Sequence, residues 1–216
     1  MADTAPMISG RPVLVSVDIQ RGYALPPEQT GIALMDGQSE LITNAERIVA
    51  AARAAGIPIV FFSEVHRPDG VDFGRELDGD EDVHCLEGNE ATELWPTLTP
   101  GPGEYAIAKR RYSCFFGTDF EILLKGLGAS TLILIGGLTD VCVHYTFVDG
   151  HQHDYRMRVV SDCVIGSTRA RHDASLSAME YLQRGACRTT SDVLDAFATY
   201  GASTSRPEVS SHKGAA

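Results

Sequence analysis

The sequence predicts an α/β protein with a three-layer αβα arrangement around a doubly wound, mostly parallel six-stranded sheet. Apolar, β-branched runs alternate with amphipathic segments, and strands separated by helices indicate a parallel sheet with helices on both faces. The 216 residues suffice for one domain with a sizeable core. We assign residues 1–10 to an N-terminal extension, 11–200 to the domain and the small, polar residues 201–216 to a disordered tail.

Six short apolar runs predict the strands, which are Pro12–Ile19, Ile57–Phe62, Tyr105–Lys109, Thr131–Ile135, Met157–Val160 and Cys187–Thr190. Apolar residues spaced three and four apart predict the helices, which are Ser39–Ala55, Thr118–Gly126, Asp140 to about His153, Arg169–Arg184 and Ser191–Ala198. Prolines and glycines exclude regular structure from Gln20–Gly37. Ser63–Gly88 is a polar loop whose length is typical of functional or mobile segments.

Charge and composition exclude several classes of function. The formal net charge of −11 argues against a nucleic-acid or anionic-membrane partner. No segment approaches the roughly 20 apolar residues that span a bilayer, and no glycine-rich motif supports a nucleotide cofactor. Five irregularly spaced cysteines and an N-terminus unlike a signal peptide predict a cytoplasmic protein.

The segment Gly136–Val143 carries the strongest sign of chemistry. It follows a predicted buried strand, so its glycine turn places Cys142 at the start of a helix. Unpaired amides and the positive helix end favour a thiolate there, and they could also bind an oxyanion. The alternative is a buried structural cysteine beside a tight turn.

Two further residues lie at predicted strand ends. Ligands of doubly wound sheets bind beyond the carboxyl ends of the strands, and this rule selects Asp18 and Lys109 together with Cys142. A buried Asp can move protons for a thiol, and a lysine can stabilise the thiolate and the oxyanion. The alternatives are a capping role for Asp18 and a structural ion pair for Lys109, which is one of only three lysines.

Three sequence blocks resemble the isochorismatase-like cysteine hydrolases, a family with nicotinamidases, N-carbamoylsarcosine amidohydrolases, ureidoacrylate amidohydrolases and biuret hydrolases. The blocks are Val15–Gln20, Lys109–Phe115 and Gly136–Val143, in the family's order and spacing. The resemblance implies the family's Rossmann-like fold and a catalytic triad of Asp18, Lys109 and Cys142. It also implies a cis peptide between Gly137 and Leu138, which would aim the Leu138 and Cys142 amides into an oxyanion hole.

The resemblance further implies amide hydrolysis through an acyl-thioester. Cys142 would attack the carbonyl, while Asp18 would protonate the departing ammonia or amine and then activate a water. The implied substrate is a small carbamoyl-, ureido- or amide-type molecule, with no cofactor required. The resemblance also implies a homo-oligomer, either a dimer or a tetramer.

The loop after the second predicted strand bears on metal and substrate. Glu64, His66, Asp72 and His84 take the positions of the metal ligands in family nicotinamidases, but with carboxylates at two altered positions. Such a set can bind a divalent ion. We favour no metal and interpret Glu64, His66 and Arg67 as a polar pocket wall, in which a carboxylate accepts urea-like N–H groups. The alternative for His66 and Arg67 is a solvated loop.

Aromatic residues are candidates for the apolar walls of the pocket. We assign Tyr23, Tyr112 and Phe115 to these walls and Phe116 to the core. Two other functions stay open beside the thiol amidohydrolase. One is a metal-assisted, nicotinamidase-like deamidase, and the other is a catalytically silent binding module with the same fold.

Overall fold

The fold is a six-stranded, all-parallel sheet in the order β3-β2-β1-β4-β5-β6, as seen in a computed structural model that describes residues 5–204. The strands are β1 Arg11–Val17, β2 Ile59–Glu64, β3 Tyr105–Lys109, β4 Ala129–Gly137, β5 Arg156–Ile165 and β6 Cys187–Arg188. The helices are α1 Pro27–Thr30, α2 Gln38–Ala54, α3 Phe120–Leu127, α4 Cys142–Gln152, α5 Arg169–Leu182 and α6 Thr190–Thr204. The predicted fold class is confirmed.

Several predicted boundaries were wrong. Strand β5 continues to Ile165 instead of ending at Val160, because its second half pairs with the end of β4. Residues 21–24 form a 3₁₀ turn and residues 27–30 form α1, within a segment predicted to lack regular structure. Proline is favoured at the first helical position, which permits that short helix. The last helix includes residues 201–204, and the rest of the predicted tail lies outside the described residues.

Two apolar cores fill the spaces on either side of the sheet. Helices α2 and α6 cover one face, where Ile48 and Phe197 pack against Ile133 of the central strand β4. Helices α3, α4 and α5 cover the other face, where Phe147 and Leu134 lie fully buried. Because both faces are covered, β1 and β4 are apolar almost throughout, as expected of central parallel strands.

The exposed apolar residues lie outside these cores. Phe116 was predicted to be core, but 65% of it is exposed. It follows the segment Ser113–Phe115, in which Cys114 is the side chain that packs into the core beside α4. Among the described residues, no helix combines the length and the apolar character needed to cross a bilayer.

The strand order creates a switch point between β1 and β4. Connections leave these neighbouring strands toward opposite faces of the sheet, which opens a crevice at their carboxyl ends. Gly136 lies at this point with φ +112°, and a side chain there would collide with the Val17 carbonyl of β1. Glycine therefore permits the close approach of the two strand ends that shapes the crevice.

Candidate active site

Four polar side chains meet at the carboxyl edge of the sheet. Asp18 directly follows β1, Glu64 and Lys109 end β2 and β3, and Cys142 is the first residue of α4. Glu64 and Lys109 are register partners, which places their side chains next to each other. All four residues are buried, and Lys109 has no exposed surface. The structure therefore brings together the three residues that the strand-end rule selected.

Lys109 lies at the centre of this group. Its Nζ is 2.8 Å from Oδ2 of Asp18, 2.7 Å from Oε2 of Glu64 and 3.3 Å from Sγ of Cys142. Burial disfavours its charge, but the two carboxylates and the sulfur outweigh this and raise the pKa of Lys109 well above its ordinary value. Lys109 is therefore a fixed cation that neutralises the buried acids and lies against the Cys142 sulfur.

The sulfur of Cys142 is bound as a thiol. Its Sγ donates a hydrogen bond to Oε2 of Glu64 at 3.2 Å. Burial raises the pKa of Cys142 well above its ordinary value, and the lysine only partly opposes this. The helix-start argument favoured a thiolate at rest, and the structure corrects it because the neighbouring carboxylates and the loss of water favour the neutral form. A base must therefore remove the proton during attack.

Asp18 has the properties of that base. Burial raises its pKa to about 6, which Glu64 reinforces and Lys109 opposes. A base works best when its pKa lies near the working pH. Its carboxylate, the Glu64 carboxylate and the Cys142 sulfur offer atoms that all lie within 4.8 Å of one another. Asp18 is thus within reach of the thiol proton.

Glu64 differs from Asp18 in its protonation. Burial would raise its pKa, but the Lys109 ammonium and the hydrogen bonds it accepts hold the pKa of Glu64 well below its usual range. The Gln20 side chain fixes the backbone beneath it, because Nε2 donates to the Glu64 carbonyl at 2.9 Å. Glu64 is therefore a permanently charged acceptor that orients Lys109 and Cys142 and is a weaker base than Asp18.

The turn before α4 carries the predicted cis peptide between Gly137 and Leu138. The amides of Thr139, Val141 and Val143 bond to backbone carbonyls, and in the described residues no such bond uses the amides of Leu138 and Cys142. A side-chain contact also supports the turn: Thr139 Oγ1 lies 2.9 Å from Nδ1 of the buried His172. The two amides assigned to an oxyanion hole are thus available to a ligand.

A cavity of about 120 Å³ opens beside Asp18, Glu64 and Cys142. Tyr23, Glu64 and Tyr112 line it, as expected for pocket residues. Leu138 lines it too, beside Asp18 and Cys142. The hydroxyl of Tyr23 is buried without a hydrogen-bond partner, and burial beside Asp18 raises the pKa of Tyr23 well above its ordinary value. The cavity therefore presents a neutral hydroxyl donor to whatever binds over the sulfur.

Three residues assigned to the pocket wall lie elsewhere. His66 is fully buried behind Glu64 and stacks on Phe73 at 4.0 Å between ring centroids. The Arg67 side chain is 61% exposed. Phe115 packs on Phe120 across the α3 side of the sheet. Strand β2 ends at Glu64, so His66 and Arg67 lie in the irregular loop after it, where no strand period fixes the direction of their side chains.

A second polar cluster lies behind Glu64. The Nε2 atoms of His66 and His84 are each 3.2 Å from Oε1 of Glu64, and His66 Nε2 is 3.1 Å from Oε2 of Glu76. Glu76 takes the place predicted for Asp72, whose Oδ1 is instead 3.5 Å from the other ring nitrogen, Nδ1, of His66. The 3₁₀ turn at residues 76–78 turns Glu76 inward, which sequence spacing alone did not indicate.

This cluster has the composition of a divalent-metal site. Glu64, His66, Glu76 and His84 are buried, with ligand atoms within 4.8 Å of one another, and neither carboxylate oxygen of Glu76 accepts a hydrogen bond. The residues therefore fit an ion bound by two imidazoles and two carboxylates. A bound ion would supply Lewis-acid chemistry. The neighbouring carboxylates, against the effect of burial, raise the pKa of His66 to about 9, which favours its imidazolium form.

Sequence reasoning missed three contributions to the site. It assigned Glu64 to substrate N–H groups, whereas this carboxylate also binds Lys109 and Cys142. It did not select Glu76, which lies beside His66, or Glu81, which lines the cavity. Both belong to an acidic loop without a hydrophobic period. The signal that could have identified Glu64 is its position as the last residue of the strand beside β1, because the same rule selected Asp18 and Lys109.

Fold and site together define a doubly wound α/β protein with a buried cysteine, lysine and carboxylate centre at its switch point. Comparisons with known proteins agree. Residues 12–193 match the isochorismatase domain. The chain is 33% identical over 196 residues to the ureidoacrylate amidohydrolase RutB of Methylorubrum extorquens, covering 82% of this chain and 74% of that protein. It is 30% identical over 171 residues to the maleamate amidohydrolase of Pseudomonas putida, covering 77% and 78%.

A solved structure shows the same fold. The cysteine hydrolase from Pseudomonas syringae pv. phaseolicola superposes with a TM-score of 0.81 at 23% identity, covering 93% of this chain and all of that one. This protein belongs to the isochorismatase family. The resemblance inferred from the three sequence blocks, including the amidohydrolase branch, is thereby confirmed.

Proposed function

We propose that the protein is a cysteine-dependent amidohydrolase that cleaves the C–N bond of a small carbamoyl-, ureido- or amide-type substrate through an acyl-thioester on Cys142. The observation that carries this proposal is the convergence of Asp18, Lys109 and Cys142 beneath the cavity. The names of two relatives, a ureidoacrylate and a maleamate amidohydrolase, support it. The protein is accordingly a hydrolase of carbon–nitrogen bonds other than peptide bonds, as the sequence predicted.

The first half of the reaction forms the acyl-enzyme. Sγ of Cys142 attacks the substrate carbonyl carbon while its proton passes to Asp18, and the carbonyl oxygen becomes an oxyanion that the amides of Leu138 and Cys142 bind. The tetrahedral intermediate then collapses and breaks the C–N bond. Asp18 returns the proton to the nitrogen, and ammonia or an amine leaves.

The second half releases the acid. Asp18, again a carboxylate, takes a proton from water as the water oxygen attacks the thioester carbonyl. Collapse of this second intermediate breaks the C–S bond, and Cys142 regains its proton as the acyl group leaves as an acid. Lys109 stays charged throughout and holds both carboxylates in place. No cofactor takes part, and the homo-oligomeric state and cytoplasmic location remain predictions.

The pH dependence of the reaction should follow Asp18. Burial raises its pKa to about 6, and only the carboxylate can accept the thiol proton, so kcat/KM should rise with pH through about 6 and then level off. Glu64→Gln removes a charge that raises the pKa of Asp18, so the rise of kcat/KM with pH should occur at lower pH in this variant. Rates of ammonia release between pH 4.5 and 8 measure both. A rate that stays constant from pH 5 to 8 would exclude Asp18 as the base.

The cluster of Glu64, His66, Glu76 and His84 favours one competing function, a metal-assisted deamidase resembling nicotinamidases. The two functions differ in their response to metal removal. Dialysis against EDTA should leave ammonia release unchanged in the thiol mechanism, because the His66 imidazolium and Lys109 balance the buried carboxylates. Metal analysis of the same samples is the control. Loss of activity that zinc or manganese restores would favour the metal-assisted function instead.

A further inference from the structure

We propose that the site selects amides without a negative charge, and that Glu81 is the residue that disfavours acids. This inference rests on the proposed function and narrows its substrate class, because it sets this protein apart from the two relatives, which are named for the carboxylates ureidoacrylate and maleamate. Asp18, Glu64 and Glu81 all line the cavity that contains Cys142. Asp18 and Glu64 lie beside the sulfur, and Glu81 belongs to the loop after β2. A substrate that places its amide over Cys142 therefore shares the cavity with all three carboxylates.

The cations near the sulfur are already paired. The Nζ atom of Lys109 donates hydrogen bonds to Glu64 and Cys142 and forms an ion pair with Oδ2 of Asp18 at 2.8 Å. His84 also lines the cavity, but its ring nitrogens lie 3.2 Å from Glu64 Oε1 and 2.6 Å from the Asp82 carbonyl. A substrate carboxylate would thus lie near groups of the same charge, and neither Lys109 nor His84 offers a free positive group to balance its charge.

Glu81 is held toward the cavity by an aromatic neighbour. Its Oε2 accepts a hydrogen bond of 2.9 Å from the Tyr112 hydroxyl, and both residues line the cavity. A carboxylate so placed is an acceptor for N–H groups. The far end of a bound substrate should therefore carry a donor such as a second amide, a ureido group or an ammonium. The loop that supplies Glu81 is thus a specificity element.

A pair of compounds that differ in charge but hardly in shape tests this assignment. Maleamate carries a carboxylate where maleamide carries a second amide. Binding is measured by calorimetry with the Cys142→Ala protein, so the result does not depend on turnover. Maleamide should bind at least about tenfold more tightly, which corresponds to about 1.4 kcal/mol. Equal affinities, tighter binding of maleamate, or no binding of either compound would overturn the assignment.

Variants of the loop identify the residue responsible. Glu81→Gln removes the charge but keeps the shape, so the preference for maleamide should fall at least threefold. Glu87→Gln is the matched control, because this exposed glutamate of the same loop does not line the cavity, and its preference should equal that of the parent. An unchanged preference in Glu81→Gln would overturn the role of Glu81. Failure of the proposed function itself would show separately, as the absence of ammonia release by the intact enzyme across a panel of amides.

Discussion

Replacing Cys142 with alanine should lower the rate of ammonia release by at least about a thousandfold, because it removes the atom that attacks the substrate carbonyl. The fold should survive. Cys142 contributes one buried sulfur that donates a hydrogen bond to Glu64 and accepts one from Lys109, so thermal unfolding should change by no more than is usual for small core substitutions. Circular dichroism and an ammonia assay on the same samples measure both effects.

Cys163→Ala is the matched control for this experiment. Cys163 is as buried as Cys142, but it lies in the core between the sheet and α2, where its Sγ lies 3.7 Å from the Leu41 carbonyl. This variant should keep its activity. A Cys142→Ala protein that turned over at the parent rate would refute covalent catalysis and leave the metal-assisted deamidase as the better explanation.

Replacing Lys109 with methionine should have the largest effect on stability. Lys109 is fully buried between Asp18 and Glu64, and its removal leaves two buried acids without their cation. Removing one partner of a buried ion pair costs about 3–5 kcal/mol. Activity at neutral pH should fall at least a hundredfold, because the loss of the cation raises the pKa of Asp18 and releases the thiol from its position.

Lys125→Met provides the comparison. The Lys125 side chain is 70% exposed and pairs with Glu121 on the surface of α3, so its loss should leave urea unfolding almost unchanged. The double variant Lys109→Met/Glu64→Gln should recover part of the lost stability, since it removes one of the unpaired charges. If Lys109→Met were as stable and active as Lys125→Met, Lys109 would have neither a structural nor a catalytic role.

The sequence predicted the parts of the site that depend on strand ends. Asp18, Lys109 and Cys142 each lie at or just beyond an apolar run, and parallel strands bring their carboxyl ends to one edge. The family resemblance supplied the cis peptide at Gly137. The strand ends and the block around Gly137 can be recognised in short stretches of sequence, so one sequence was enough to predict these features.

The parts that failed lie in irregular segments between the elements. Arg67, in the loop after β2, and Phe115, in the segment after β3, were assigned to the pocket wall, but neither lines the cavity. Glu76 and not Asp72 lies at Nε2 of His66, where a 3₁₀ turn places it. Irregular segments lack a hydrophobic period from which orientation can be inferred, and this limit applies to substrate specificity as well, since Glu81 lies in the same loop.

Whether Cys142 is a thiol or a thiolate also could not be predicted from the sequence. A helix start and a nearby lysine both favour a thiolate, and the sequence argument for Cys142 used these two effects. The structure adds burial and two carboxylates, which favour the thiol and raise its pKa. In the proposed mechanism the proton therefore moves during the reaction, and Asp18 is the base that accepts it. Which effect dominates could be decided only from the distances between these groups.

A covalent bond to Cys142 would be visible in the mass of the peptide that carries this residue. The parent enzyme and Asp18→Asn are mixed with an amide that they bind, quenched in acid at successive times and digested. We expect the parent's peptide to gain the mass of the substrate less ammonia during turnover, and we expect little or no adduct in Asp18→Asn, which lacks the base that takes the thiol proton. A Cys142 peptide of the parent enzyme that stays unmodified at every time during turnover would refute the acyl-thioester.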